Sequence, residues 1–148
     1  MADGETVTVP GTPAGVRQAL DALESLARTR RLPDALRRRL LTALDEVLSN
    51  IVRHSGEEPV SVVELRVSPP GPTFEVAVSD GRSPFNPLQL AVPDTSSGLD
   101  ERRPGGLGIM LVRALADDVR YERRGGRNHL TMTWWVPSEQ EEISDAGQ

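Results

Sequence analysis

The segment from Gly81 to Gly106 constrains this chain more than any other feature. It is rich in proline and glycine and poor in apolar residues, so it can supply neither a long helix nor a central strand. A connection of that length inside a compact domain is uncommon, and is usually functional or disordered. Any core must come from the sequence on either side of it. With 148 residues in all, one domain is the natural size.

The flanking sequence is strongly patterned. Thr6-Val7-Thr8-Val9 alternates and stops at Pro10, which reads as a short strand. Thr12 is placed to cap a helix that has Pro13 at its first position. Val16, Leu20, Leu23 and Leu26-Ala27 then share one helical face. Pro33 restarts the pattern. Leu36, Leu40, Leu41, Leu44, Val47, Leu48 and Ile51 predict a second helix from Asp34 to about His54. Arg37-Arg38-Arg39 read as its solvated face. Gly56 to Pro59 is a turn. Val60 to Val67 and Thr73 to Ser79 are strands joined through Pro69-Pro70-Gly71-Pro72. Beyond the long loop, Leu107 to Asp117 is helical in pattern. Val119 to Arg123 and His129 to Val136 form a closing strand pair around Arg124-Gly125-Gly126-Arg127. Trp134 and Trp135 point to opposite sheet faces, one into the core and one outward, where an exposed ring can mark an interface. The short connections predict a mainly antiparallel sheet with helices on one face, a two-layer α/β sandwich. The domain spans residues 1–136, and the polar, acidic stretch 137–148 reads as a disordered tail.

Composition removes several classes of function. There is no cysteine, so neither disulfides nor thiolate metal sites exist. The only two histidines, His54 and His129, are far apart in sequence, which argues against a zinc site. The formal net charge of -5 weighs against direct contact with nucleic acid. No apolar run approaches the length of a membrane span, and Met1-Ala2-Asp3-Gly4-Glu5 lacks the features of a signal peptide. The expectation is a soluble cytoplasmic protein.

Three constellations can carry chemistry. In Asp45-Glu46-Val47-Leu48-Ser49-Asn50, Glu46 and Asn50 share one helical face beside the apolar stripe. An amide oxygen on a rigid helix can ligate Mg2+, and a carboxylate one turn away can take a proton from a hydroxyl. Such pairs also occur as solvated residues at the edge of any amphipathic helix. In Val76-Ala77-Val78-Ser79-Asp80-Gly81, an alternating strand delivers Asp80 to its end. A carboxylate there can accept from an exocyclic amine such as that of adenine, although Asp-Gly is also ordinary turn chemistry. In Pro104-Gly105-Gly106-Leu107-Gly108-Ile109, glycines lead into a helix whose free N-H groups and dipole favour a phosphate. No Gly-Lys-Ser/Thr follows, so this is not a P-loop, and no strand directly precedes it, so the dinucleotide fingerprint fails too.

Taken in order, these residues resemble the GHKL ATPases, and within them the bacterial anti-sigma factor serine-protein kinases. Leu44 to His54 is similar to the family's N box. Asp80 with Pro84-Phe85-Asn86-Pro87 resembles the first glycine box, and Gly105 to Ile109 with Leu111-Val112 resembles the second. Asp117-Asp118-Val119, Tyr121 and Gly126-Arg127-Asn128 continue the pattern, so the resemblance covers roughly Thr6 to Val136.

The resemblance implies the Bergerat ATP-binding fold, with ATP and Mg2+ as cofactors. It makes Glu46 the general base on a partner's serine, Asn50 the Mg2+ ligand and Asp80 the adenine contact. Gly106, Leu107 and Gly108 would wrap the phosphates, with Thr131 near adenine as a lesser candidate. It implies a homodimer that phosphorylates an anti-anti-sigma factor and binds a sigma factor, with no direct nucleic acid or membrane contact. The sequence departs from the family at one place. Where the first glycine box usually has glycine two residues after the Asp, this chain has Arg82. A register that saved the glycine would put Ser79 in place of Asp80, but Val76 and Val78 fix the strand phase in favour of Asp80. The adenine end is altered, and Arg82 could crowd or cover the base. This departure favours an alternative, a non-catalytic module of the same fold that sequesters a partner. A detached histidine-kinase catalytic domain is a third reading, disfavoured because no phosphoacceptor helix pair is present.

Overall fold

The computed structural model describes residues 4–53, 62–84, 86 and 106–138, with the backbone alone for 106–109. The order is β1 (Glu5–Pro10), α1 (Pro13–Thr29), α2 (Asp34–Arg53), β2 (Val62–Val67), β3 (Thr73–Asp80), α3 (Gly106–Leu115), β4 (Asp118–Arg124) and β5 (Arg127–Trp135). The five strands form one sheet in the order β1-β2-β3-β5-β4, and all four neighbouring pairs are antiparallel.

Local chemistry sets the element ends. The Thr12 hydroxyl accepts from the Gly15 N-H at 3.0 Å and caps α1, with Pro13 at its first position. At the other end, Leu32 N-H reaches the Ala27 carbonyl and Arg31 N-H the Arg28 carbonyl. That double closure is a Schellman motif, and Arg31 occupies its left-handed position at φ 58° where glycine is usual. The buried Leu32 then leads the chain into α2. Between β4 and β5, Gly125 and Gly126 have φ of 61° and 74°. A two-residue loop with both φ positive is the turn whose twist matches that of its strands.

Period-two alternation puts Val63, Leu65 and Val67 of β2, Phe74, Val76 and Val78 of β3, and Leu130, Met132 and Trp134 of β5 on the buried face. They join Leu23 of α1 and Leu40, Leu44 and Leu48 of α2 in a single core. Helix α1 packs against β1 and α2, and α2 packs against α3. The architecture is the expected two-layer α/β sandwich. Trp134 is fully buried and Trp135 is 66% exposed, as their alternation requires. Strand β3 runs one residue past Ser79 and includes Asp80.

Two readings are corrected. Arg37-Arg38-Arg39 is not a uniformly solvated face. Arg37 pairs with Asp34 at 2.8 Å, and Arg39 crosses to α3, donating from Nε to the Leu115 carbonyl at 3.0 Å. Of the three, only Arg38 is exposed. The other concerns Thr131, taken up below. His54, the turn at 56–59, most of the long loop and the tail from 139 lie outside the described residues. Among those described, no helix is long and apolar enough to cross a membrane.

Candidate functional site

Two anchors orient the helices over the sheet. The Leu115 carbonyl, at the end of α3, accepts from Arg39 in the early part of α2 and from Trp134 Nε1 at 2.9 Å. Asp117 follows at once, with its N-H on the Thr133 carbonyl and its carboxylate on the Trp135 N-H at 2.7 Å. The end of α3 and the first half of α2 therefore sit at the Trp134 end of the sheet. Asp80 and Asn128 are paired at the opposite end. At 1.5 Å per residue, α3 spans about 15 Å, and Asn50 lies about 16 Å beyond Arg39 along α2.

Glu46 and Asn50 are both half-buried, one turn apart, while Asp45 is exposed and accepts from the Ser49 hydroxyl at 2.9 Å. The intervening Val47 and Leu48 are buried, so α2 lies on the core and leaves these two groups at its margin. The Asn50 amide oxygen accepts from Arg53 Nη1 at 3.4 Å, a long contact that leaves acceptor capacity. A half-buried amide oxygen on a rigid helix suits Mg2+, which takes few protein ligands and fills the rest with phosphate and water oxygens. The site's donor set therefore fits that ion. Gly106, Leu107 and Gly108 open α3, where backbone N-H groups have no partner within the helix.

The other pole is a buried polar network. Asp80 is 2% exposed and lies in phase with Val76 and Val78. Its Oδ1 accepts from the Arg82 backbone N-H at 3.0 Å, Arg82 Nε at 2.9 Å and Asn128 Nδ2 at 3.2 Å. Its Oδ2 accepts from Arg82 Nη2 at 3.4 Å. Asn128, 4% exposed, also donates to the Ser83 carbonyl at 3.1 Å and accepts the Tyr121 hydroxyl. Arg123 Nη1 donates to the Arg82 carbonyl at 2.7 Å and to Asn128 Oδ1 at 3.3 Å. Ser79 is on the other side of the strand, buried under Arg127, which donates to its carbonyl at 3.2 Å.

Thr131 does not reach this network. It pairs with Ala77 on one side and Arg120 on the other, out of phase with Asp80 and Asn128, and so lies on the opposite sheet face. The alternation of Leu130, Met132 and Trp134 already carried that phase. The residue of β5 that does face Asp80 is Asn128, and its signal was an amide in step with that buried triplet.

A family profile described as histidine kinase-like ATPase domain matches residues 9–134. The chain belongs to the histidine kinase-like ATPase domain family. Among relatives of this ATPase domain, a serine/threonine-protein kinase, BtrW, of Bordetella bronchiseptica is 31% identical over 130 residues, covering 87% of this chain and 92% of that one. The serine-protein kinase RsbW of Staphylococcus aureus is 25% identical over 104 residues, 66% of this chain and 65% of that one. The crystal structure of a Mycobacterium tuberculosis protein's RsbU and RsbW domains matches 90% of this ATPase domain with a TM-score of 0.61. That match covers 32% of the mycobacterial chain at 16% identity, and shows likeness of fold.

Proposed function

We propose that this domain binds ATP with Mg2+ and transfers the γ-phosphoryl group to a serine of an anti-anti-sigma partner, and that it also binds a sigma factor. The observation that carries the reading is the placement of Glu46 and Asn50. They are half-buried on the part of α2 that leads away from the Arg39 anchor at the Trp134 end of the sheet. Helix α3 runs back from the same anchor, and its opening amides would share a site with a base contact and a proton acceptor. The relatives named as serine kinases support the same chemistry.

Each residue has a distinct task. Asp80 accepts from the exocyclic amine of the base. The amides of Gly106, Leu107 and Gly108 hold the phosphate oxygens, aided by the positive end of the α3 dipole. The Asn50 amide oxygen would hold Mg2+, which when bound offsets the charge on the phosphates. Glu46 takes the proton of the serine hydroxyl as its oxygen bonds to the γ-phosphorus and the bond to the β-phosphate oxygen breaks, releasing ADP. Thr131 takes no part. A homodimer and a cytoplasmic location complete the proposal.

Glu46→Ala tests it. With labelled ATP and an anti-anti-sigma protein, the variant is expected to lose formation of acid-stable phosphoserine by at least about a hundredfold, the range for a general base. Its ATP affinity is expected to stay near wild type. Equal loss of binding and transfer would remove Glu46 from the role of base. One observation favours a second reading, a non-catalytic module: Arg82 already occupies Asp80. Failure of the wild type to bind ATP-Mg would select that reading.

A further inference from the structure

Both oxygens of the Asp80 carboxylate already have donors: three converge on Oδ1, and Arg82 Nη2 lies on Oδ2 at 3.4 Å. Two of the donors are fixed in the frame: the Arg82 backbone N-H, and Asn128 on β5, which β3 pairs directly opposite Asp80. The other two belong to the Arg82 guanidinium. Its backbone is pinned, because the Arg82 carbonyl accepts from Arg123 at 2.7 Å. Its side chain is a long stem just beyond the end of β3. The guanidinium can therefore leave Asp80 by a change of side-chain rotamer, without moving a strand. The ion pair is also nearly dry, with side-chain exposures of 12% and 3%. In such surroundings a charged donor holds a carboxylate more strongly than a neutral amine does.

We propose that Arg82 is a specificity-determining latch. Its guanidinium occupies the place on Asp80 that a purine 6-amino group would take, so a 6-amino purine must displace it whereas a 6-oxo purine can accept from it, and the site discriminates weakly between 6-amino and 6-oxo purine triphosphates. This rests on Asp80 being the base contact of the proposed ATP site. The weak discrimination follows from the chemistry of the pair. A bare carboxylate accepts from a 6-amino group and repels a 6-oxo group. A carboxylate with a guanidinium beside it presents acceptor and donor together, so a 6-oxo purine can accept from Arg82 where a 6-amino purine donates to Asp80.

The test is calorimetric titration of the full chain and its Arg82→Ala variant with ATP-Mg and inosine triphosphate-Mg. Arg82→Ala is expected to bind ATP about tenfold tighter, the equivalent of one order in dissociation constant. The ratio of inosine triphosphate to ATP dissociation constants is expected to widen from within about threefold to more than about tenfold, as the carboxylate is bared. Arg82→Gln, which keeps the stem and loses the charge, is expected to move both quantities in the same direction. Melting curves identify any variant that fails to fold, and Arg82→Gln then carries the comparison. Wild type that binds ATP, with variants that bind it no tighter and keep the same ratio, would overturn the latch and leave the ATP site standing. Loss of ATP affinity in the variants would overturn it too, since Arg82 would then be helping to hold the base. Absence of nucleotide binding in wild type and variants alike would overturn both the latch and the site.

Discussion

Asn128 is the residue on which the buried network turns. It donates to Asp80 and Ser83 and accepts from Tyr121 and Arg123 while 4% exposed. Truncating it takes this partner from the Tyr121 hydroxyl and the Ser83 carbonyl, and a buried group left without its hydrogen bond costs about 1–3 kcal/mol. Asn128→Ala is accordingly expected to lower the urea unfolding midpoint by that amount of stability, more than an exposed substitution such as Arg38→Ala. Equal effects of the two would mean that the network contributes nothing. At this scale the sequence was partly legible. The position of Asp80 at the strand end follows from Val76 and Val78, because alternation admits no other phase. The phase of Thr131 was equally available, and family likeness pointed away from it. The contact of Arg82 with Asp80 was not legible. It depends on a side chain turning back on the strand it has just left, and neither periodicity nor spacing encodes that rotation.

At the scale of elements, α1 and β1 meet at a point where backbone volume decides the geometry. A Cβ at Gly15 would come within 1.8 Å of the Pro10 carbonyl oxygen. In a free helix, Gly→Ala gains up to about 1 kcal/mol in propensity. Here the helix must shift off the strand, and overpacking of this kind costs about 1–3 kcal/mol. Sterics outweigh propensity, so Gly15→Ala is expected to lower the melting temperature. A rise would show that α1 has room to move. The elements themselves were readable because each announces its ends: Thr12 and Pro13 start α1, and the Gly125-Gly126 pair closes the last hairpin. Their relative placement was less so. Arg39 reaches Leu115 across 76 positions. In sequence, nothing distinguishes it from the exposed Arg38 beside it, because only the packing of α3 gives its guanidinium a carbonyl to hold.

Over the whole molecule, one division organises the fold. The Trp134 end is structural: Arg39, Trp134 and Asp117 tie the end of α3 to α2 and to the sheet. The Asp80 end collects the polar groups that the core does not need. The proposed site takes Glu46 and Asn50 from α2 and the opening amides of α3 to that same end. The measurement that tests this most directly is calorimetric titration of the full chain with ATP, with Mg2+ present and chelated, in wild type and in Asn50→Ala. The account predicts one site per chain in wild type, with affinity falling at least about tenfold when Mg2+ is removed. It predicts that Asn50→Ala erases this dependence. A wild type that binds no nucleotide, or an Asn50→Ala variant as dependent on Mg2+ as before, would contradict it.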